Sequence, residues 1–401
     1  MKVVGLWLCL KKVVFFSLEI IVFTVFIFNL ATLFPIPYLG SIANHYTVPY
    51  VRIWLPLLFI LCLISLYVSL SHKKSKWPLV NAIIASLSLM MGVYIILMIQ
   101  THVNQLGGGI SFLKSYQVED TSGISVDVKT YSSSELGDVK LNVYYKENNN
   151  VKNKPVLVYI HGGGWIAGHR SSHSYYWKSF ARDNYVVVSL DYDLSNKERH
   201  LSDSTEKQLT KGFAWIANNI ENYGGSTERL YTTGVSAGGN LALELSYKIN
   251  SGVYKWADGT RLPKITAVAV SYPVASPKAF YENSDLVKGD IAKYMVVSYL
   301  GGRPDQLPHK YAQLTPKNAI SPQSPPTLLM AGQRDTLVPQ EPTYHLAQVL
   351  TEKKIPNKLV IIPFTNHAYD RINDNLGSQA YLNLSKDWFK TYPEKAGGHK
   401  Q

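Results

Sequence analysis

The chain has 401 residues and a formal net charge of +12, too long for one typical domain and without the basic-aromatic stripe of a nucleic-acid binder. Its two cysteines, Cys9 and Cys62, both fall in the apolar first quarter, so the remainder has no disulfide, no thiolate metal site and no cysteine nucleophile. Residues 1–103 carry Lys2, Lys11, Lys12, Arg52, Lys73, Lys74 and Lys76 against Glu19 alone, and these charges cluster at the ends of apolar runs, which is a membrane-topology pattern.

Three apolar runs come first, at 13–34, 53–70 and 79–99, each near the ~20 residues that cross a bilayer. The first is too long for a signal-peptide core and reads as a retained helix. Lysines flank it on the N-terminal side and again between the second and third runs. The positive-inside rule therefore puts those segments in the cytoplasm and everything after the third run outside. Glu19, inside the first run, reads as an interfacial or helix-pairing residue. Residues 1–103 read as a membrane region, 104–124 with its Gly107-Gly108-Gly109 as a linker, 125–395 as a globular domain and 396–401 as a polar tail.

After the linker, strands and helices alternate. Stretches 125–131 and 139–145 alternate apolar and polar residues, as an antiparallel edge pair does. Short apolar runs at 155–160, 185–190, 230–233, 267–272, 327–331 and 359–362 read as buried parallel strands. Helical patterns lie at 204–222, with an Asp203/Glu206 capping box, and at 239–249, 340–351 and 379–390. Such alternation predicts an α/β fold, a mostly parallel sheet with helices on both faces, preceded by three transmembrane helices.

The chemistry begins at Gly234-Val235-Ser236-Ala237-Gly238, between the strand 230–233 and a helix. A serine on so sharp a turn needs small neighbours, and the helix N-terminus behind it favours developing negative charge. Upstream, His161-Gly162-Gly163-Gly164-Trp165 follows a strand. Its glycines free backbone N–H groups to face an oxyanion, so Gly163, Gly164 and Ala237 are the candidate donors, while His161 braces the loop.

A nucleophilic serine needs a base, and the base an orienting carboxylate. Of the later histidines, His309 lies in a Pro- and Gln-rich stretch, His345 inside a helix and His399 in the tail. His367 follows the strand 359–362 by a short loop, where a base can reach the elbow. Asp335, just past the strand 327–331, sits at a carboxyl end one strand earlier and is the candidate acid. Asp370, three residues past His367, reads as a helix cap.

Together these motifs resemble the hormone-sensitive-lipase-like and acetyl-esterase (BD-FAE-like) branch of the α/β-hydrolases, over about 139–389. Its glycine loop matches His161–Trp165, its elbow Gly234–Gly239, its Asp-Tyr strand end Asp191-Tyr192, its acid loop Gly332–Pro339 and its late histidine His367. The sequence departs from that pattern at Val235, usually acidic, at Asp193-Leu194-Ser195-Asn196 and at Ala368, usually glycine.

The resemblance implies an α/β-hydrolase fold and ester hydrolysis through an acyl-enzyme on Ser236, His367 and Asp335, with no metal or organic cofactor. It implies an ester substrate, small molecule or lipid, with the bilayer as a further partner. Trp165, Tyr192 and Val235 are pocket candidates, Tyr175, Tyr176 and Trp177 equally wall or core, and 274–322 a cover. An acyltransferase, lipase or peptidase would use the same triad. An inactive interaction module would have lost a member, and none is missing. The catalytic domain is expected outside the cell membrane; the oligomeric state is left open.

Overall fold

The computed structural model describes residues 2–34, 36, 38–71, 76–117, 120–147, 151–254 and 261–393. Lys73, Lys74 and the tail 396–401 lie outside them.

Four helices come first: α1 (Lys2–Leu33), α2 (Leu39–Tyr46), α3 (Val51–Ser71) and α4 (Trp77–Gln105). Within them Val13–Leu33, Val51–Ser71 and Trp77–Gln105 are long and apolar enough to cross a membrane. Apolar side chains such as Ile60, Leu63 and Tyr67 of α3 and Leu79, Ile83 and Met90 of α4 stay exposed, as a lipid-facing surface would. The helices meet through small and polar residues. A Cβ on Gly92 would stand 2.9 Å from the Trp54 ring, and Asn29 Nδ2 donates to the Ser88 Oγ at 3.0 Å, while Asn81 Nδ2 donates to Ser65 at 3.3 Å. Glu19 is half-buried and lines a groove of about 300 Å³ with Trp77, Asn81 and Ile84 of α4.

The part after these helices is built on one eight-stranded sheet, ordered β1-β2-β4-β3-β5-β6-β7-β8. The strands are β1 (Ile124–Ser134), β2 (Gly137–Lys146), β3 (Lys154–Ile160), β4 (Val186–Leu190), β5 (Gly225–Val235), β6 (Ala267–Ser271), β7 (Thr327–Gly332) and β8 (Asn357–Ile362). The expected edge pair is there: β1 and β2 are antiparallel, β2 meets β4 antiparallel, and the remaining pairings are parallel. All of β4, β6 and β7 is buried, because helices cover both faces.

Those helices are α5 (Ser174–Arg182), α6 (Ser202–Asn219), α7 (Ala237–Ser251), α8 (Pro277–Tyr281), α9 (Gly289–Leu300), α10 (Pro308–Gln313), α11 (Glu341–Glu352) and α12 (Leu376–Thr391). One core joins Val156, Val158 and Val188 of the sheet to Leu209 and Phe213 of α6, Leu241 and Leu245 of α7, and Tyr299 of α9. The opposite core joins Leu157, Tyr159 and Met330 to Trp177 and Phe180 of α5, Tyr381 and Phe389 of α12, and Ile95, Ile99 and Val103 of α4.

One sequence expectation is corrected here. There is no capping box at the start of α6: Leu201 is the N-cap, its N–H goes to Ser195 Oγ at 3.1 Å, and Asp203 and Glu206 pair instead with Lys310 and Lys248, at 2.7 and 2.9 Å. The segment 104–124 begins inside α4, whose last turns pack in the core beneath the sheet, and it is held by Asn104 to Ile110 at 2.6 Å, Gln379 to Ser111 at 2.9 Å and Arg52 to Ser115 at 2.9 Å.

Candidate active site

Ser236 directly follows β5 and caps α7 with φ 56° and ψ −123°, a backbone that side chains rarely adopt. The turn closes so tightly that a Cβ on Gly234 would lie 2.4 Å from the Gly238 carbonyl, and one on Gly238 2.2 Å from the Ile160 carbonyl. The small residues of the elbow are thus steric requirements. The turn is clamped by the Ser236 N–H donating to Ser271 at 3.0 Å, and by the Asn240 and Val274 N–H groups donating to the Ser236 carbonyl at 3.0 and 3.3 Å.

His367 Nε2 stands 3.0 Å from Ser236 Oγ, and His367 Nδ1 stands 2.8 Å from Asp335 Oδ2. The Asp335 side chain is 1% exposed and that of His367 12%. The loops after β7 and β8, neighbours in the sheet, bring the two together. Tyr272, just past β6, sets its ring edge-on to His367 at 4.6 Å and donates its hydroxyl to Asp370. Burial, reinforced by the Asp370 carboxylate, pushes the Tyr272 phenol well above its ordinary pKa, so it remains a donor.

Asp370 is no helix cap. It is fully buried beneath the base loop, and α12 starts later with Asn375 as its cap, accepting from the Ser378 N–H at 2.6 Å. His345 lies exposed on α11, 3.5 Å from Lys317 Nζ.

The glycine loop abuts the elbow: a Cβ on Gly162 would sit 3.3 Å from Ser236 Cβ. Gly163 and Gly164 have φ of 113° and 61°, which glycine alone adopts without strain. Among the described residues the amides of Gly163, Gly164 and Ala237 donate to no backbone carbonyl or side chain, so they stay free for an incoming group. Met295 of α9 lies against Gly164, 2.4 Å from where a Cβ there would be.

His161 is buried, bonds Gly162 O at 2.8 Å through Nδ1 and stacks on Tyr192 at 4.2 Å. Burial lowers its pKa, so it stays neutral and braces the loop.

The pocket candidates lie in packed surroundings. Trp165 is fully buried, stacked on Tyr299 at 4.8 Å. Tyr192 is 3% exposed and donates to the His161 carbonyl at 3.0 Å. Val235 is 4% exposed in the strand before the serine. Tyr176 and Trp177 are core residues on the opposite face, and Tyr175 bonds Asp374. An open cleft of about 500 Å³ lies beside Asp335, lined by Asn283, Asp285, Thr336 and Pro339; another, of about 490 Å³ between α8 and α10, lies away from the serine.

Two neighbours of the base were not legible as site residues: Tyr272, whose contacts with His367 and Asp370 cross from another strand end, and Asn366, whose Oδ1 accepts from the His367 N–H at 2.7 Å.

The fold recurs in solved structures. A bacterial heroin esterase has a TM-score of 0.58 at 19% identity, over 72% of this chain and 89% of that one. The esterase of the hyperthermophilic archaeon Pyrobaculum calidifontis scores 0.56 at 19% identity, over 74% and 93%. Among curated sequences, Esterase LipC of Mycobacterium tuberculosis is 24% identical over 207 residues, 50% of this chain and 49% of that protein. Carboxylesterase NlhH of the same organism is 26% identical over 255 residues, 61% and 76%. The chain spans about half the length of LipC and of the probable carboxylic ester hydrolase LipM, at 49% and 56%. The BD-FAE family model matches residues 141–350, more than half of the sequence and including both the glycine loop and the elbow. With its sheet order and its elbow, the chain belongs to the BD-FAE family of the α/β-hydrolases.

Proposed function

We propose that this chain is a membrane-anchored serine carboxylesterase, with Ser236 as nucleophile, His367 as base and Asp335 as the orienting acid. The observation that carries the reading is the unbroken relay from Ser236 Oγ to His367 Nε2 at 3.0 Å and from His367 Nδ1 to Asp335 at 2.8 Å. The similarity to LipC, LipM and NlhH, named as an esterase, a probable carboxylic ester hydrolase and a carboxylesterase, supports ester hydrolysis.

In this mechanism Ser236 Oγ attacks the ester carbonyl carbon while His367 Nε2 takes the hydroxyl proton. The carbonyl oxygen becomes an oxyanion, met by the N–H groups of Gly163, Gly164 and Ala237. The tetrahedral adduct collapses, the C–O bond to the alcohol breaks, and His367 returns the proton to the leaving alkoxide. Water then attacks the acyl-enzyme with His367 as base, releasing the acid and restoring the Ser236 hydroxyl. Asp335 keeps the Nδ1–H tautomer and stabilises the imidazolium formed in each step.

We further propose that residues 1–103 anchor the enzyme, with the catalytic domain at 125–395 facing away from the cytoplasm. The three membrane-length helices support the anchor, and the lysine clusters support the orientation.

The test is a fluorophosphonate probe with a panel of chromogenic esters on the full-length protein. Labelling and turnover should both disappear in Ser236→Ala, where a loss of about 10⁴–10⁶ in kcat is expected. Retention of more than roughly a tenth of the activity would reject the nucleophile.

A further inference from the structure

The stretch between the first two membrane-length helices does not stand clear of the catalytic domain. At its start the Leu33 carbonyl accepts from Arg334, at 3.5 Å. Ser41 Oγ meets Thr336 Oγ1 at 2.9 Å, and the Ser41 carbonyl accepts from Asn366 Nδ2 at 3.1 Å. The His45 carbonyl accepts from Arg371 at 2.6 Å, and the same guanidinium bonds the His45 ring. That guanidinium also lies over the rings of Tyr46 and Tyr50, 5.4 and 5.3 Å from their centroids. All these contacts land on two loops, the one carrying Asp335 and the one carrying His367.

Asn366 is the junction between them. Its Oδ1 accepts from the His367 N–H at 2.7 Å and from the Thr336 N–H at 3.0 Å. Its Nδ2 donates to Ser41 of α2. One buried carboxamide therefore ties the backbone of the base to the neighbour of the acid, and ties both to the membrane region. The geometry of a triad tolerates little slack, since a displacement of about 1 Å can cost on the order of 10² in rate.

We propose that α2 and the turn to Tyr50 form a positioning element of the active site, acting through the Ser41–Asn366 and His45–Arg371 contacts on the loops that carry Asp335 and His367. The membrane region is then a working part of the enzyme as well as its anchor. The proposal rests on the triad assigned above.

The experiment uses the full-length protein in detergent, with kcat and KM for a soluble chromogenic ester and Tm measured on each variant. His45→Ala is expected to lower kcat about three- to tenfold with KM within about twofold and Tm nearly unchanged. His45→Gln should recover most of that loss, because its Oε1 can still accept from Arg371. Arg371→Ala should give an equal or larger loss, and the double variant should be no worse than Arg371→Ala alone, because that change already removes the ring contact that His45→Ala deletes.

Wild-type kcat in His45→Ala would overturn the proposal. So would equal kcat in His45→Ala and His45→Gln, or additive losses in the double variant. The His45 pair decides the matter even if Arg371→Ala fails to fold, since neither change touches the catalytic domain's own sequence. Ser236→Ala is the control: activity there would sink the triad itself, whereas an inactive Ser236→Ala beside a fully active His45→Ala sinks only the positioning role.

Discussion

One oxygen of Asp335 faces His367 Nδ1 at 2.8 Å, while the other accepts the N–H groups of Leu337 and Val338 at 3.0 and 2.8 Å. The two amides fix which oxygen is left for the imidazole. An asparagine at 335 would keep its carbonyl on those amides and turn its NH₂ toward Nδ1. The imidazole would then carry its proton on Nε2, the wrong tautomer to accept from Ser236. Asp335→Asn should lower kcat by about 10²–10⁴ with little change in KM or Tm. Ester kinetics decide it, and an unaffected kcat would mean the orienting acid lies elsewhere.

His367→Ala should be nearly as damaging as loss of the serine, because triad members act as a unit. His345→Ala should be silent, since that ring sits exposed on α11 beside Lys317. Fluorophosphonate labelling rates on the two variants make the comparison, and the reverse ranking would move the base to the helix.

What was legible follows from physical reach. Ser236, Asp335 and His367 each stand at the carboxyl end of a parallel strand, and strand ends can be read from short apolar runs and the glycines after them. The sheet was legible for the same reason: β4, β6 and β7 are buried along their whole length and so read as unbroken apolar runs. Pocket walls were not legible. An aromatic such as Trp165 looks the same in sequence whether it faces substrate or, as here, stacks on Tyr299 in the core. The Asp203/Glu206 box misled because tertiary partners, Lys310 and Lys248, outbid the local backbone. The Arg371–His45 contact spans 326 positions, and no local pattern encodes it.

Glu244 is the candidate for a pH-dependent stability term. It is buried on α7, shares Lys248 Nζ with Glu206, and its Oε2 has no partner among the described residues. Burial raises its pKa well above the usual 4.5, with Lys248 opposing and Glu206 adding to the rise. The folded state thus prefers the protonated acid, while the unfolded chain ionises it above 4.5. Its contribution is full at low pH and is lost as pH rises from 4.5 through the raised value. Glu244→Gln keeps the shape without the charge, and Lys248 retains Glu206. Tm measured from about pH 5 to about pH 9 should fall less steeply in the variant than in the wild type. Parallel curves would show that Glu244 does not titrate in this range.

The side of the membrane on which the chemistry occurs can be argued from contacts as well as charges. The end of α1, and α2 after it, lie against the loops carrying Asp335 and His367 through Leu33, Ser41 and His45, and the start of α3 bonds the segment before β1 through Arg52 and Ser115. The C-terminal turns of α4 enter the same domain through Ile95, Ile99 and Val103. The outer ends of all three helices therefore converge on one body, as three alternating crossings require. With 29 residues α4 is about 44 Å long, enough to cross the ~30 Å hydrocarbon core and still pack its last turns on the enzyme. In sequence the lysines at 2, 11 and 12 and at 73, 74 and 76 fall at the opposite ends, whereas residues 34–50 have no lysine or arginine and Arg52 alone stands at the start of α3. The positive-inside rule thus supports the proposed orientation, in which the triad is expected outside the cytoplasm. Two features could defeat this: Glu19 within α1 and Pro56 within α3, since failure of either helix to insert would make the number of crossings even. Protease added to intact cells or right-side-out spheroplasts should remove a tag placed after Gln401. Full protection of that tag, in a sample where a control ectodomain is digested, would put the catalytic domain in the cytoplasm and reverse the orientation.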